Sequence, residues 1–480
     1  MDRKKYLLKN TGILTISNFA SKILVFLLVP LYTSVLSTSE YGTYDLIISS
    51  VGILLPVLTC NISDAVIRYS LEDTYPKEDV ISIGMRITLW GMLITCAFVL
   101  IIKATGIWQN INGLEIFTIA YVVTHSINQF LFQTARGCEK VFDIGVAGVI
   151  STVVMIAANI IFLLVLQYGL EGFFLATILG QIFPTVYLAI RLRIWRYLKR
   201  IFNGFRSIKL RMITYSAPLV VVTLSWWVNS TSDRFIVAAI CGVGANGLLS
   251  VAYKIPAIIN TVQGIFIQAW QLSAIKEYSS SDKAEFYGKT FSTLNTIMVI
   301  ACSILIILTK PIATLMFAND FYNAWQYVPL LLLSCVINSA SGFLGPILAA
   351  KEDSKSAALS ALYGAIANII MNIGLVFLIG IQGACIATVI ASFIIFLFRK
   401  RSLSNEIIVE HYGMVLFTWA IICAQAVLEI YFKFWYLEII LIVIILVINR
   451  NEISNIYCIS RNITGNLKNR LFDKRTGEDN

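Results

Sequence analysis

The sequence predicts an all-α polytopic membrane protein with about 14 transmembrane helices, arranged as two repeated six-helix lobes plus two C-terminal helices. Hydrophobic residues make up 58% of the 480 residues and charged residues only 13%, which is roughly half the charged fraction of a soluble domain. The apolar residues form runs of roughly 20 residues or more, the length that crosses the hydrocarbon core of a bilayer. The basic residues gather in every second gap between these runs.

The distribution of Lys and Arg predicts the orientation of every span. Of the 37 basic residues, 31 lie in alternate gaps, whereas the opposite gaps hold only Lys103, Lys310 and Lys433. Short basic loops stay on the cytoplasmic side during insertion, so both termini are predicted to be inside. The net charge of +10 is spread over loops beside the spans, which indicates contact with anionic membrane lipid rather than with nucleic acid.

The spans follow one another with short connections. They are predicted near residues 11–36, 41–66, 81–103, 113–135, 143–167, 170–190, 212–240, 246–272, 289–309, 325–350, 356–379, 382–398, 411–431 and 434–449. The first apolar stretch is too long for a cleaved signal peptide, so it is predicted to be a retained span. The longest outer connection, near 309–324, leaves no room for an outer domain that could carry out chemistry.

The largest cytoplasmic connection separates the two lobes. Residues 191–211 contain eight basic residues and no acidic one, and their apolar residues recur at helical spacing, which predicts an amphipathic helix at the membrane surface. We therefore expect an N-lobe over 1–190 (spans 1–6) and a C-lobe over 212–401 (spans 7–12). Spans 13 and 14 occupy 402–449, and a basic cytoplasmic tail follows over 450–480.

A short internal repeat supports the two lobes. Asn159 precedes Gly172-Phe-Phe-Leu-Ala-Thr-Ile at the fifth and sixth spans, and Asn372 precedes Gly383-Ala-Cys-Ile-Ala-Thr-Val at the eleventh and twelfth. The copies are offset by 213 residues at the Asn and by 211 at the Gly, so a two-residue gap falls in the turn between the helices. Repeated lobes predict a substrate site at the lobe interface and alternating access by rocking.

Three cations lie within the predicted spans: Lys22, Arg234 and Lys254. An ionised residue near the centre of a span costs roughly 2.5–3.5 kcal/mol on insertion scales, and successive residues such as Asp233 and Arg234 do not face each other on a helix. One interpretation is pairing between helices, with Asp45 or Asp233 as partners. The other is a wet cationic cavity, in which the three cations bind phosphate or acidic sugars and an aspartate couples a cation gradient.

Other polar residues in the spans have two interpretations each. Trp226, Trp227 and Asn229 are candidates for sugar contacts, and their alternative role is an aromatic belt at the membrane interface. His125 lies in the middle of the fourth span, where it either carries a proton or packs in the helix bundle.

Enzymatic function has little support in the sequence. There is no nucleotide-binding G-x-x-x-x-G-K-[ST] loop, only two His are present, and the nine Cys show no metal-ligand spacing. We therefore predict a non-enzyme without a metal or cofactor. A purely structural scaffold would have no need of cations within its spans.

Several motifs resemble one family of transporters. They are Leu36-Ser37 with Glu40-Tyr-Gly-Thr-Tyr44, Tyr215-Ser-Ala-Pro218, Asp233-Arg-Phe-Ile236, Asn246-Gly247, Ala252-Tyr-Lys-Ile255 and Phe266-Ile-Gln-Ala-Trp270. By these motifs and by its span count, the chain resembles the Wzx-type polysaccharide flippases of the multidrug/oligosaccharidyl-lipid/polysaccharide exporter superfamily.

The resemblance implies a flippase in the bacterial cytoplasmic (inner) membrane. Its expected substrate is an undecaprenyl-diphosphate-linked oligosaccharide repeat unit for capsule, O-antigen or a similar surface polysaccharide. A polysaccharide polymerase and export machinery are the implied partners. The driving force stays open between a Na⁺ or H⁺ gradient, the membrane potential and removal of the product on the outer side. Two alternatives stay open: a cation-coupled antiporter of small molecules or drugs from the same superfamily, and a polysaccharide polymerase.

Overall fold

The computed structural model describes residues 22–72, 75–106, 113–198, 206–404, 406–409, 412–432 and 434–455. Across these ranges the chain is helical and contains no β-strand, as predicted. The helices are α1 (Lys22–Val35), α2 (Thr38–Leu58), α3 (Ile62–Leu71), α4 (Lys77–Thr105), α5 (Glu115–Gly137), α6 (Val141–Asn159), α7 (Gly169–Leu192), α8 (Trp195–Leu198), α9 (Arg206–Cys241), α10 (Val243–Ala252), α11 (Lys254–Glu277), α12 (Lys283–Ile307), α13 (Thr309–Met316), α14 (Val328–Ala350), α15 (Ser354–Ile379), α16 (Ile381–Ser402), α17 (Tyr412–Tyr431) and α18 (Trp435–Ile448).

The described helices confirm a multi-pass membrane protein. Ten are long and apolar enough to cross a bilayer, and α10 with α11, bent by 44°, forms an eleventh. Each predicted span coincides with at least one helix, while the count of 14 and the orientation stay predictions. Residues 11–21, Lys433, the middle of the predicted amphipathic linker and the tail beyond 455 lie outside the described residues.

The second span is broken, whereas a single helix was expected over 41–66. Helix α2 ends after Pro56, whose ring nitrogen cannot donate a helical hydrogen bond. Cys60 and Asn61 then adopt positive φ angles of 50° and 51°, and α3 begins at Ile62. Two consecutive left-handed residues cannot continue a right-handed helix.

The chain forms two compact units. The first comprises the described residues of 1–254 with 312–324 and 369–384, and the second those of 255–311, 325–368 and 385–480. In the first unit, α2 packs along α10, and α7 packs against α5 and α6. In the second, α12 packs against α14, α17 and α18. The predicted lobe boundaries were drawn from the repeat and stay predictions.

Both copies of the repeat bury their asparagine and use their glycine at a close helix approach. Asn159 and Asn372 are buried, with 2% and 0% exposure. A Cβ on Gly172 would lie 3.0 Å from the side chain of Phe162, and one on Gly383 would lie 2.2 Å from the carbonyl oxygen of Leu375. Each glycine therefore allows its helix to approach the preceding one closely.

The two-residue difference in length between the copies of the repeat also has a structural cause. In the first copy, α6 runs into a π-helix over Ile160–Val165, and the turn then uses positive φ at Gln167 and Gly169. In the second copy, α15 continues regularly to Ile379, and only Gly380 has a positive φ in the turn.

Candidate functional site

Motifs that are far apart in the sequence meet where α2 crosses α10. A Cβ on Gly247 would lie 1.9 Å from the carbonyl oxygen of Thr38, and one on Gly42 would lie 2.1 Å from that of Val243. Only glycine fits at either position, so the two backbones touch, as at small-residue crossings of membrane helices. The start of α2 is fixed by a capping box in which Ser37 and Glu40 bond each other's backbone N–H.

Asp45 lies at the centre of this crossing and accepts hydrogen bonds from three side chains. Arg234 Nη1 and Ser250 Oγ each lie 2.7 Å from one of its carboxylate oxygens, and Asn246 Nδ2 lies 3.4 Å away. The Asn246 amide also donates to the carbonyl oxygen of Gly42 at 3.1 Å. We call Asp45, Arg234, Asn246 and Ser250 the Asp45 cluster.

The Asp45 cluster shows that Arg234 is paired between helices. Its guanidinium, on α9, is neutralised by the carboxylate on α2, and only 23% of the Arg234 side chain is exposed. The Nε of Arg234 is buried and has no hydrogen-bond partner among the described residues. Asp233 accepts from the backbone N–H of Arg234 at 2.9 Å and from the hydroxyl of Tyr253.

Lys254 has a different environment. It is half-buried at the bend between α10 and α11, and its Nζ lies 5.7 Å from the ring centroid of Tyr41. Among the described residues it has no carboxylate partner. Tyr41 in turn stacks on Tyr32 at 4.9 Å with an interplanar angle of 2°, and contacts Phe173 at 6.0 Å. Among the described residues, the group that faces the charge of Lys254 is therefore an aromatic ring.

The remaining candidate substrate contacts are either exposed or hydrogen-bonded within the protein. Lys22, the first described residue, is exposed, and Trp226 is 69% exposed. Trp227 donates its indole N–H to the carbonyl oxygen of Ser49 at 3.1 Å. Asn229 donates to the carbonyl oxygen of Ser225 in its own helix at 3.0 Å.

His125 packs in the manner expected of a structural histidine. Its ring stacks on Tyr121 at 5.1 Å, and its Nδ1 lies 3.5 Å from the Tyr121 hydroxyl. One turn later, Asn128 donates to Thr185 at 2.9 Å and to the carbonyl oxygen of Gln181. A role of His125 in ion coupling stays a prediction.

Sequence reasoning missed three polar side chains that the fold places inside the helix packing. Asn246 and Ser250 are one helical turn apart, which was a usable signal that both face the same neighbour. Arg399 was counted with the cytoplasmic loop, but it lies on α16, where its Nη1 donates to the carbonyl oxygen of Ser341 at 2.8 Å and its Nε to Ser360 at 3.1 Å.

Comparisons with known proteins concern the family and the fold of the chain. A family model described as "Polysaccharide biosynthesis protein" matches residues 7–271. No protein of curated function matches the chain by sequence.

Solved structures show the fold. The chain is similar to the lipid II flippase MurJ in an inward closed conformation, with a TM-score of 0.68, 15% identity, and coverage of 91% of this chain and 99% of that one. It is also similar to an inward-facing multidrug resistance MATE transporter (TM-score 0.63, 16% identity, coverage 81% and 94%). A third similar structure, titled as a transporter of the MOP superfamily from Pyrococcus furiosus with a binding pocket of reverse polarity, has a TM-score of 0.58, 14% identity, and coverage of 82% and 96%.

Proposed function

Because the chain belongs to the polysaccharide biosynthesis protein family and has the fold of a MOP-superfamily transporter, we propose that it flips a lipid-linked oligosaccharide. The proposed substrate is an undecaprenyl-diphosphate-linked repeat unit, which would move from the inner to the outer leaflet of the bacterial cytoplasmic membrane. Surface polysaccharide assembly, with a polymerase downstream, is the proposed setting. The mechanism is alternating access between the two repeated lobes.

The observation that supports an anionic substrate best is the environment of Lys254. A cation within a span costs free energy unless a counter-charge or water accompanies it, and in the described part of the chain Lys254 faces the ring of Tyr41 and no carboxylate. Its ammonium group supplies three donors and no acceptor, as a diphosphate or a uronic acid requires. The charge of Arg234 is already used by Asp45. We therefore assign direct contact with the substrate to Lys254 first and to Lys22 second.

Arg234 has a supporting role in this proposal. It holds α9 against α2 through Asp45, while its buried Nε still lacks a partner. Trp226 is the exposed aromatic residue proposed to stack on sugar, while the hydrogen bonds of Trp227 and Asn229 are already occupied within the protein.

The second candidate function is small-molecule antiport, which the similarity to multidrug MATE transporters favours. The two functions differ in the charge that the site must recognise. An anionic glycolipid needs the Lys254 ammonium group, whereas an organic cation would be repelled by it.

The test is polysaccharide export in a strain that lacks the gene and carries either the wild type, Lys254→Ala or Lys254→Arg, with membrane levels matched. Loss of one charge-assisted hydrogen bond predicts a roughly 10- to 100-fold drop in export for Lys254→Ala, with partial rescue by Lys254→Arg. Lys355→Ala, at an exposed cytoplasmic position by the predicted topology, is the matched control and should export normally.

Three outcomes separate the hypotheses. Lipid-linked repeat units that accumulate inside without the gene support a flippase. Repeat units that reach the outer face unpolymerised indicate the polymerase alternative. Normal export without the gene, together with hypersensitivity to cationic drugs, indicates the antiporter.

A further inference from the structure

A cavity lies within the second unit, and none of the residues assigned to the substrate above lines it. It has a volume of about 210 Å³ and lies between α12, α14, α16 and the start of α17. Three polar side chains line it, those of Lys400, Ser404 and Tyr412, and the rest of its lining is apolar. By the predicted topology these helix ends lie at the cytoplasmic side of the membrane.

One side of the cavity is a column of three nearly parallel rings, which we call the aromatic wall. The rings of Phe291 and Phe396 lie 6.4 Å apart with an interplanar angle of 17°, and those of Phe396 and Tyr412 lie 6.4 Å apart at 9°. Phe291, Phe396 and the adjoining Leu344 are each no more than 2% exposed, so close packing holds their side chains in place. The cavity therefore presents a fixed apolar surface.

The connection between α16 and α17, which closes another side of the cavity, is also held in place. Glu406 in this connection pairs with Lys283 at 2.9 Å and with Lys351 at 3.7 Å. The backbone N–H of Ile408 donates to the carbonyl oxygen of Ala284 at 3.1 Å, and the residues on either side of Ile408 line the cavity. The cavity is therefore formed before any ligand arrives.

Lys400 brings to the cavity a positive charge that no described carboxylate neutralises. Its Nζ lies 3.0 Å from the ring centroid of Tyr412, and the described carboxylate nearest in sequence, that of Glu406, is already paired with two other lysines. The Tyr412 hydroxyl is buried and has no hydrogen-bond partner among the described residues. Glu410 and His411 lie outside the described residues. An ammonium group and a free hydroxyl beside an apolar wall suit a ligand with anionic oxygens and an apolar chain.

We propose that this cavity binds an anionic glycerophospholipid of the cytoplasmic leaflet. Its phosphate contacts Lys400, the Tyr412 hydroxyl and Ser404, and the beginning of an acyl chain lies against the aromatic wall. Basic pockets between membrane helices on the cytoplasmic side bind such headgroups. A volume of about 210 Å³ is below the roughly 300–1,000 Å³ of pockets that enclose drug-sized ligands, so the cavity suits a headgroup better than an oligosaccharide. A zwitterionic headgroup would bring its own cation beside the Lys400 ammonium group, which favours an anionic lipid.

The test is native mass spectrometry of the purified full-length protein in detergent, titrated with phosphatidylglycerol or with phosphatidylcholine of the same acyl chains. The wild type should retain one phosphatidylglycerol more tightly than phosphatidylcholine. Loss of one charge-assisted contact predicts roughly 10-fold weaker phosphatidylglycerol binding in Lys400→Ala, and Tyr412→Phe, which keeps the ring under the ammonium group, should weaken it less. Arg401→Ala removes an exposed charge at the adjacent position. It is the matched control and should bind like the wild type.

A second variant blocks the cavity without changing its charge. Ser404 is exposed and lines the cavity, so Ser404→Trp should fold like the wild type and fill the space with its indole. It should weaken phosphatidylglycerol binding at least as much as Lys400→Ala, while its thermal midpoint without added lipid stays at the wild-type value. If Lys400→Ala fails to fold, Ser404→Trp decides the question by itself.

Four results would overturn the proposal. The first two are equal phosphatidylglycerol binding by the wild type and the folded Lys400→Ala or Ser404→Trp variant, and equal binding of the two lipids by the wild type. The third is displacement of the lipid by inorganic phosphate at equal concentration, which would indicate a site for free anions. The fourth is binding that becomes more than 10-fold tighter in Glu410→Gln, which would show that Lys400 is already paired. None of these measurements depends on polysaccharide export, so the lipid site and the proposed function can fail separately.

Discussion

The Asp45 cluster and the surroundings of Lys254 place a cation within a span in two different environments. Arg234 faces the carboxylate of Asp45, whose remaining lone pairs receive a hydroxyl and an amide. Lys254 lies 5.7 Å from the ring centroid of Tyr41 and has no carboxylate partner among the described residues. The charge of Arg234 is therefore neutralised by an ion pair, whereas no described carboxylate neutralises that of Lys254.

This difference shows that a cation within a span does not have a single role. A carboxylate partner makes the cation part of a structural tie, whereas a cation without one is a candidate for substrate contact. Asp45 joins α2, α9 and α10, so its removal should affect folding. Lys254 has no ion pair to lose among the described residues, so its substitution should affect export and leave folding nearly unchanged.

The largest expected effect is that of Asp45→Asn. The substitution leaves the Arg234 guanidinium without its carboxylate, and breaking a buried ion pair costs about 3–5 kcal/mol. The thermal midpoint of the purified protein should fall sharply. Asp64→Asn, on the same span but bonded to the neutral amide of Asn61 at 2.8 Å, is the control and should change the midpoint far less.

A double-mutant cycle sharpens this prediction. Asp45→Asn combined with Arg234→Gln should recover part of the lost stability, because the second change removes the stranded charge. Additive effects within roughly 0.5 kcal/mol would show that the two side chains do not interact, and the Asp45 cluster would then not be a structural tie.

The next effect concerns the crossing that brings the Asp45 cluster together. In Gly247→Ala, the added Cβ would lie 1.9 Å from the carbonyl oxygen of Thr38, and backbone atoms cannot move aside as a flexible side chain can. Forced separation of α2 and α10 should destabilise the protein by about 1–3 kcal/mol and shift the folded peak in size-exclusion chromatography toward aggregates. Gly264→Ala, where nothing lies within 4 Å, should behave like the wild type.

Much of the fold could be predicted from hydropathy and charge alone. The apolar runs and the basic residues in alternate connections locate a helix at every predicted span. This works because the backbone of a chain in the bilayer must form its hydrogen bonds internally, as a helix does. The break at Cys60 and Asn61 could not be predicted, since it depends on two left-handed residues that no residue type there requires.

The site was predicted only in part. In-span cations identified Arg234 and Lys254, but the sequence could not decide which of them has a counter-ion, because Asp45 is 189 residues from Arg234 in the chain. Asn246 and Ser250, which complete the Asp45 cluster, were missed, although their spacing of one helical turn indicates that both face the same neighbour.

A smaller effect is expected at a second contact between α9 and α2. Here a neutral hydrogen bond from Trp227 to Ser49 adds to the ion pair between Arg234 and Asp45. Trp227→Phe removes the N–H that donates to Ser49 and leaves that carbonyl oxygen without its donor, which predicts a loss of roughly 1 kcal/mol in thermal unfolding. Trp226→Phe, at a 69% exposed position, should leave stability unchanged. If Trp226→Phe lowers export without a change in stability, Trp226 is a sugar contact. Equal thermal midpoints for Trp226→Phe and Trp227→Phe would contradict the stabilising role assigned to Trp227.

The smallest effect comes from an ion pair outside the predicted spans, which serves as a reference for the Asp45 cluster. The hydrogen bond from Lys283, 2.9 Å away, lowers the pKa of Glu406 below its ordinary value. A lowered folded-state pKa contributes stability above the ordinary pKa of glutamate, and that contribution is lost as the pH falls through the folded pKa. Glu406→Gln should therefore cost roughly 0.2–1 kcal/mol at neutral pH, and the difference from wild type should vanish in acid and shrink in high salt. The Asp45→Asn penalty should resist salt, because a buried pair is poorly screened. A salt-insensitive Glu406→Gln penalty would mean that this pair, whose side chains are 27% and 15% exposed, is screened no better than the Asp45 cluster.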